Sequence, residues 1–234
     1  MLSAVKKISK RILRDFHELR FLQSSRKPLG NFINATVSKA EEVILEDLLR
    51  ARPEFGVLSK YSSSDTAVTG ETYWLVNVLD APENFSRAMP YFSISLAVQQ
   101  KDRFGNDEIV AGVVYMPALS ELYFAEKGNG AWCEFAEEFQ VGISETRLRI
   151  SEKSSIHPII FTNNAKFSEA NSSVRSLGSN AISLVYLASG RGDKCIINYD
   201  DIFDTAAGTM IAKEAGAIVE DDQNLKRLVV KKAF

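Results

Sequence analysis

Apolar residues recur at helical spacing near the start of the chain and in short alternating blocks farther along it. Val5, Ile8, Ile12, Phe16 and Leu19 stand three or four residues apart, which predicts an amphipathic helix over residues 3–22. A second periodic set predicts a helix over residues 38–50, with Ser38 and Glu41 as a capping box. The basic, proline-containing stretch 26–30 separates the two helices.

Short apolar runs rich in β-branched and aromatic residues then predict strands. These runs cover residues 55–58, 74–79, 92–101, 109–115 and 121–126. The turn signals between the last three favour antiparallel pairing. Residues 59–70 and 152–180 are polar and lack periodicity, so we expect loops there.

The strand over residues 74–79 ends in Asp80, which Ala81, Pro82 and Glu83 follow. This order is typical of a helix start, with Asp80 as the N-cap, proline in the first turn and Glu83 completing a capping box. A carboxylate at a helix N-terminus suits metal and phosphate chemistry. It suits plain helix capping equally well, and the sequence leaves both interpretations open.

Composition narrows the classes of protein. The 234 residues carry a formal net charge of −2, which favours neither nucleic acid nor membrane in general. The first 27 residues are locally basic, so a membrane-surface or RNA contact is an alternative to a solvated helix face. Cys133 and Cys195 have no metal-site or disulfide spacing, and no run is long enough to span a bilayer. We therefore expect a reduced, cytoplasmic setting.

Two blocks carry a resemblance to a known family. The first is Asn77-Val78-Leu79-Asp80-Ala81-Pro82-Glu83-Asn84-Phe85, and the second is Phe203-Asp204-Thr205-Ala206-Ala207-Gly208 followed by Glu214-Ala215-Gly216-Ala217. They resemble the Asp-Pro-(Ile/Leu)-Asp-Gly-Thr-Thr-Asn-Phe and Trp-Asp-x-Ala-Ala-Gly motifs of the inositol monophosphatase family, including its SuhB-like bacterial branch. The resemblance covers roughly residues 30 to 222.

The resemblance implies an α/β fold of the α+β kind, a layered αβαβα sandwich. It divides the chain into N-terminal helices with an antiparallel sheet, residues 1–150, and a smaller α/β half, residues 151–234. That second half looks shortened, as though a helix and the C-terminal elements were missing. The family also implies a homodimer.

The family hydrolyses phosphate esters with Mg²⁺ held by carboxylates, and the resemblance places four ligand positions on this chain. They fall on Lys60, Asn77, Asp80 and Asp204, so only two of the four are acids. The Leu79 carbonyl would be a further metal ligand. The phosphate-binding Gly-Thr pair is replaced by Ala81 and Pro82, and proline has no N–H to donate.

The charge of these metal-binding and phosphate-binding positions, called the vestigial site below, decides what activity we expect. Mg²⁺ needs anionic oxygens, and an ammonium among the ligands repels it. We therefore expect lost or much reduced phosphatase activity and a remaining binding role, with Lys60 bridging Asp80 and Asp204 where the metal would lie. Both aspartates could instead be simple helix N-caps.

Two other functions stay open. The first is an active phosphomonoesterase for inositol monophosphate or a similar small ester, using a reduced Mg²⁺ site of Asp80, the Leu79 carbonyl and Asp204. The second is a SuhB-like partner of RNA or the transcription machinery, for which the basic N-terminal helix is the supporting feature.

Overall fold

The computed structural model describes residues 1–22, 29–62, 71–136, 143–150 and 156–232. The helices are α1 (Leu2–Leu22), α2 (Leu29–Ala51), α3 (Pro82–Ser86), α4 (Asn180–Ala188) and α5 (Ala206–Glu214), with a 3₁₀ turn at Ile202–Asp204. The strands are β1 (Gly56–Ser59), β2 (Thr72–Asp80), β3 (Ser93–Lys101), β4 (Asp107–Met116), β5 (Glu121–Glu126), β6 (Gly130–Ala136), β7 (Ile143–Leu148), β8 (Ile159–Thr162), β9 (Ser173–Arg175), β10 (Lys194–Asn198), β11 (Ile218–Asp222) and β12 (Arg227–Lys231).

Helices α1 and α2 form the first layer. The periodic apolar residues of α1 are buried with those of α2 against one face of the first sheet, so the predicted N-terminal helix is confirmed. Helix α2 begins nine residues before the predicted start, and the capping box at Ser38 is wrong because Ser38 lies inside the helix. Phe32, Ile33 and Val37 extend the apolar stripe backwards, and their packing decides where the helix begins. Residues 26–28 of the predicted break lie outside the described residues.

The first sheet has seven strands in the order β1-β2-β3-β4-β5-β6-β7. Strand β1 pairs in parallel with β2 at one edge, and every later pair is antiparallel. The strands predicted from the apolar runs are confirmed, whereas β6 and β7 were not predicted. The expected loop 59–70 begins one residue late, because Ser59 belongs to β1, and residues 63–70 lie outside the described part.

The second sheet has five strands in the order β11-β12-β10-β8-β9. Helices α4 and α5 lie between the two sheets, where their apolar residues share one core with strands of both. The predicted α/β layered class is confirmed. Among the described residues no helix is left to cover the outer face of the second sheet, so the four observed layers are α, β, α and β.

The change of sheet falls between Leu148 and Ile159, close to the predicted boundary near residue 150. Whether residues 1–150 and 151–234 are separate domains stays a prediction. The stretch 152–180 is not wholly irregular, because β8 and β9 pair in parallel within it. Residues 163–172 join these strands without a helix, where parallel neighbours usually have one.

Candidate functional site

Strand β2 brings two of the vestigial-site residues to the face that looks toward the second sheet. The register with β3 shifts between Asn77 and Asp80, which marks a bulge. Because of this bulge, Val78 and Leu79 both pack on the α1–α2 side, while Asn77 and Asp80 both reach partners in the second half. A regular strand would have turned these two polar side chains to opposite faces.

Asp80 caps a helix, but not the predicted one. Helix α3 has Ala81 as its N-cap and no side-chain cap, so the capping box with Glu83 is wrong. The Asp80 carboxylate instead accepts hydrogen bonds from the Ser179 hydroxyl and the Ala181 backbone N–H at the start of α4, about a hundred residues away. Burial and the charge of Asp204 raise the pKa of Asp80 to about 7 despite these donors.

Ala81, the predicted phosphate contact, is buried and in the left-handed conformation, with φ 59° and ψ 59°. This backbone is unfavourable for a residue with a Cβ and is readily adopted by the glycine of the family motif. Pro82 begins α3, which has only five residues and therefore a small dipole. A role for Ala81 in phosphate binding stays a prediction.

Asp204 is not the N-cap of α5, which Thr205 precedes without a side-chain cap. Asp204 ends the 3₁₀ turn, where its Oδ1 accepts hydrogen bonds from the Lys60 ammonium and, at 2.9 Å, from Asn77 Nδ2. Asn77 Oδ1 in turn accepts from the Leu79 N–H at 3.2 Å, and this bond fixes which end of the amide faces Asp204. Asn77 therefore presents a donor where a metal ligand would present an acceptor.

Lys60 follows β1 and has two acidic partners in the second half. Its ammonium binds Asp204 and lies 3.7 Å from Asp201 Oδ2. The expected bridge to Asp80 is not formed: among the described residues, Lys60 has ion pairs of 4 Å or less with Asp201 and Asp204 but not with Asp80. The charge of Asp80 still acts on the ammonium from a longer distance. Burial by itself lowers the pKa of Lys60, but these three carboxylates raise it overall.

The charge of Asp204 is also perturbed. Burial raises the pKa of Asp204, and the nearby Asp201 and Asp200 add to that rise, while the Lys60 ammonium opposes it. One ammonium therefore acts on several carboxylates, and the Lys60 charge opposes the rise in their pKa values without cancelling it.

The Leu79 carbonyl, the third predicted metal ligand, accepts a hydrogen bond from the Tyr61 hydroxyl. Burial raises the pKa of Tyr61, and the neighbouring Asp80 and Asp204 raise it further, so this hydroxyl stays a neutral donor at ordinary pH.

The residues present do not fit a divalent cation. All three predicted ligands, Asp80, the Leu79 carbonyl and Asp204, receive a hydrogen bond from a protein donor. At Asp204 a cation would meet the Lys60 ammonium, which repels it, and an amide N–H that already occupies the same Oδ1. The part of the chain that the structure describes contains no cluster of three or more acidic, histidine or cysteine ligands arranged for a metal.

Three residues of this site were missed or misread from the sequence. Asp201 is not among the four positions that the resemblance supplies, although its spacing from Asp204 places both on one turn. Ser179 and Tyr61 fall within the stretches 152–180 and 59–70, where the sequence predicts loops. Ser179 and Tyr61 meet their partners through tertiary packing, for which the local sequence gives no signal.

Several basic residues of α1 have acidic partners within the molecule. Lys6 binds Glu134, Lys7 binds Asp47, and Asp15 lies within 4 Å of two arginines of the same helix. This pairing weakens the case for a nucleic-acid surface on α1. None of the described helices has the length and apolar character needed to cross a membrane.

Comparison with known proteins agrees with the motifs and the fold. A sequence profile described as "Inositol monophosphatase family" matches residues 2–232. An inositol-1-monophosphatase of Mesorhizobium japonicum is 31% identical, over 94% of this chain and 84% of that protein. The Nus factor SuhB of Pasteurella multocida is 27% identical, over 93% of this chain and 82% of that protein.

Among solved structures, the extragenic suppressor protein SuhB from Bartonella henselae superposes with a TM-score of 0.79. It is 28% identical in sequence, and the match covers 99% of this chain and 92% of that one. The chain belongs to the inositol monophosphatase family.

Proposed function

We propose that this protein is a family member with lost or much reduced Mg²⁺-dependent phosphatase activity, and that its remaining role is binding. One observation carries the proposal: each group predicted to hold the metal is engaged by a protein donor, and one of those donors is an ammonium. Catalysis of phosphate hydrolysis by this fold needs a cation to polarise the ester and activate water. These donors compete with that cation for the same groups, and the ammonium repels it.

The position that would bind the phosphate supports the same proposal. Pro82 lacks the N–H and hydroxyl of the residue it replaces, and Glu83 adds a negative charge in the same turn. An incoming phosphate would meet one donor fewer and one like charge more.

Hydrolysis of inositol 1-phosphate, measured while Mg²⁺ is titrated, tests the proposal. We expect no turnover above background for the wild type. We expect Mg²⁺-dependent turnover from the combined variant Lys60→Glu, Asn77→Asp, Ala81→Gly and Pro82→Thr, which restores the family residues. Asp204→Asn in that variant is the matched control and should abolish the gain. Wild-type turnover at ordinary enzyme rates would establish the alternative, an active phosphomonoesterase.

A transcription-related partner role is the second candidate, because relatives such as the Pasteurella multocida protein are named Nus factor SuhB. It predicts RNA or protein binding that survives Asp204→Asn, and RNA binding that weakens steeply with salt. Homodimerisation, which the family resemblance implies, is tested by the sedimentation mass.

A further inference from the structure

We propose that the Lys60 ammonium is a resident substitute for the bridging cation, so that the former metal centre is a metal-independent clamp between the first sheet and the second half of the chain. This inference rests on the proposed function and concerns what the altered centre now does. Its geometry comes from Lys60, Asn77 and Asp80 on one side and Ser179, Asp201 and Asp204 on the other.

The clamp joins parts of the chain that are far apart in sequence. Lys60 lies just after β1, a four-residue strand at the sheet edge, and Asp204 lies 144 residues later in the 3₁₀ turn before α5. Two neighbouring contacts cross the same boundary: Ser95 Oγ donates to the Phe203 carbonyl at 3.4 Å, and Asn84 Nδ2 donates to the Leu177 carbonyl at 2.8 Å. The ion pair is therefore one of several polar contacts that cross this boundary.

The cluster needs a positive charge to hold it together. Asp80, Asp201 and Asp204 would repel one another if no cation lay among them, most strongly where burial removes water. Lys60 reaches two of these carboxylates with a side chain only 25% exposed, and its charge acts on the third. A divalent ion among these carboxylates would supply positive charge at the same place, and the single charge of Lys60 supplies part of it without a metal.

Thermal unfolding of the full chain in the presence of EDTA or about 10 mM MgCl₂, at matched ionic strength, tests the clamp. We expect the wild-type Tm to be the same in both. Lys60→Met removes the charge but keeps an unbranched side chain only one atom shorter, and should lower Tm by about 3–6 °C, since it leaves the carboxylates without their cation. Lys60→Arg keeps the charge and should restore most of that loss.

Lys60→Glu should lower Tm further in EDTA, and Mg²⁺ should recover several degrees, because the cation now has the place that the ammonium held. The matched control is Lys232→Glu. Lys232 binds Asp193 at 2.7 Å with both side chains at most 16% exposed, and among the described residues no second carboxylate is paired with this ammonium. That variant should lose stability and gain nothing from Mg²⁺ beyond the effect of salt.

A wild-type Tm that rises with Mg²⁺ would overturn the proposal, and so would a Lys60→Met variant as stable as the wild type. A Lys60→Glu variant that destabilises the protein but ignores Mg²⁺ would show an ordinary ion pair and overturn the cation-substitute reading. These outcomes are separate from the proposed function, because a chain with Pro82 and Asn77 could lack phosphatase activity even if Lys60 contributed nothing.

Discussion

Asp80 gives the sharpest test of how the buried acidic centre behaves without a metal. Its side chain is almost fully buried, and burial together with Asp204 raises its pKa from 3.8 to about 7. An acid with a raised pKa binds protons more tightly when the protein is folded. Its contribution is therefore most favourable at low pH, and stability is lost as pH rises from the unfolded pKa toward the folded one.

Asp80→Asn removes this titration and keeps an oxygen that can accept from Ser179 and Ala181. With a shift of about three units at 1.36 kcal/mol each, the cost of ionising Asp80 reaches about 4 kcal/mol above the folded pKa. Roughly 2–3 kcal/mol of that cost accrues between about pH 5 and pH 8. The variant should therefore gain that much stability relative to the wild type across this interval.

Urea unfolding of both proteins at a series of pH values measures the difference in free energy, so that titrations common to both cancel. Asp102→Asn is the control with opposite sign. Hydrogen bonds from the Asn106 backbone and side chain lower the pKa of this exposed carboxyl, so its contribution is lost as pH falls. The opposite result would be a wild type whose free energy of unfolding rises relative to that of Asp80→Asn as pH rises. It would mean that the ionised form of Asp80 is stabilised by a nearby cation, and it would refute the reasoning.

Substitutions at Gly178 and Ser179, each with a control, test the contacts that hold α4 against the site. Gly178→Ala should cost more than about 2 kcal/mol, because φ is +75° and a Cβ there would lie 2.8 Å from Asn84 Nδ2. Gly190→Ala has a similar φ of +77° with open space around the Cβ, so it should cost only about 1 kcal/mol, and equal losses in urea unfolding would contradict the packing argument. Ser179→Ala should cost about 2 kcal/mol, since it removes both the cap of α4 and a donor to Asp80, and Ser179→Thr should recover most of it.

The pattern of apolar residues predicted those elements that bury their apolar side chains in a simple, local pattern. Helix α1 follows from its apolar spacing because it buries one regular face. The strands β2 to β5 follow from short apolar runs instead, because the first sheet is packed on both faces. The start of α2 was misplaced because Ser38 and Glu41 form a good local cap signal. The apolar residues before them make a longer helix more favourable.

The sequence identified residues of the site but not all of their hydrogen-bond and ion-pair partners. Lys60, Asn77, Asp80 and Asp204 were identified from motif positions, and Lys60 lies against Asp204 as expected. The cap roles of Asp80 and Asp204 were wrong for different reasons. A bulge in β2 directs Asp80 to α4, and a 3₁₀ turn separates Asp204 from the helix that follows.

The resemblance implied that a helix is missing from the second half, and no described helix covers the outer face of the second sheet. The two strands within the polar stretch 152–180 were not predicted. Ile160 and Phe161 of β8 are both buried, on opposite faces of a short strand. Such a short apolar run carries no period by which a strand can be recognised.

Calorimetric titration of Mg²⁺ into the metal-free wild type near neutral pH tests the central claim most directly. If the protein donors at Asp80, Leu79 and Asp204 have replaced the metal, millimolar Mg²⁺ should give no saturable heat beyond dilution. A saturable isotherm that Asp204→Asn abolishes would contradict the account, because it would show a working metal site where the structure has an ammonium.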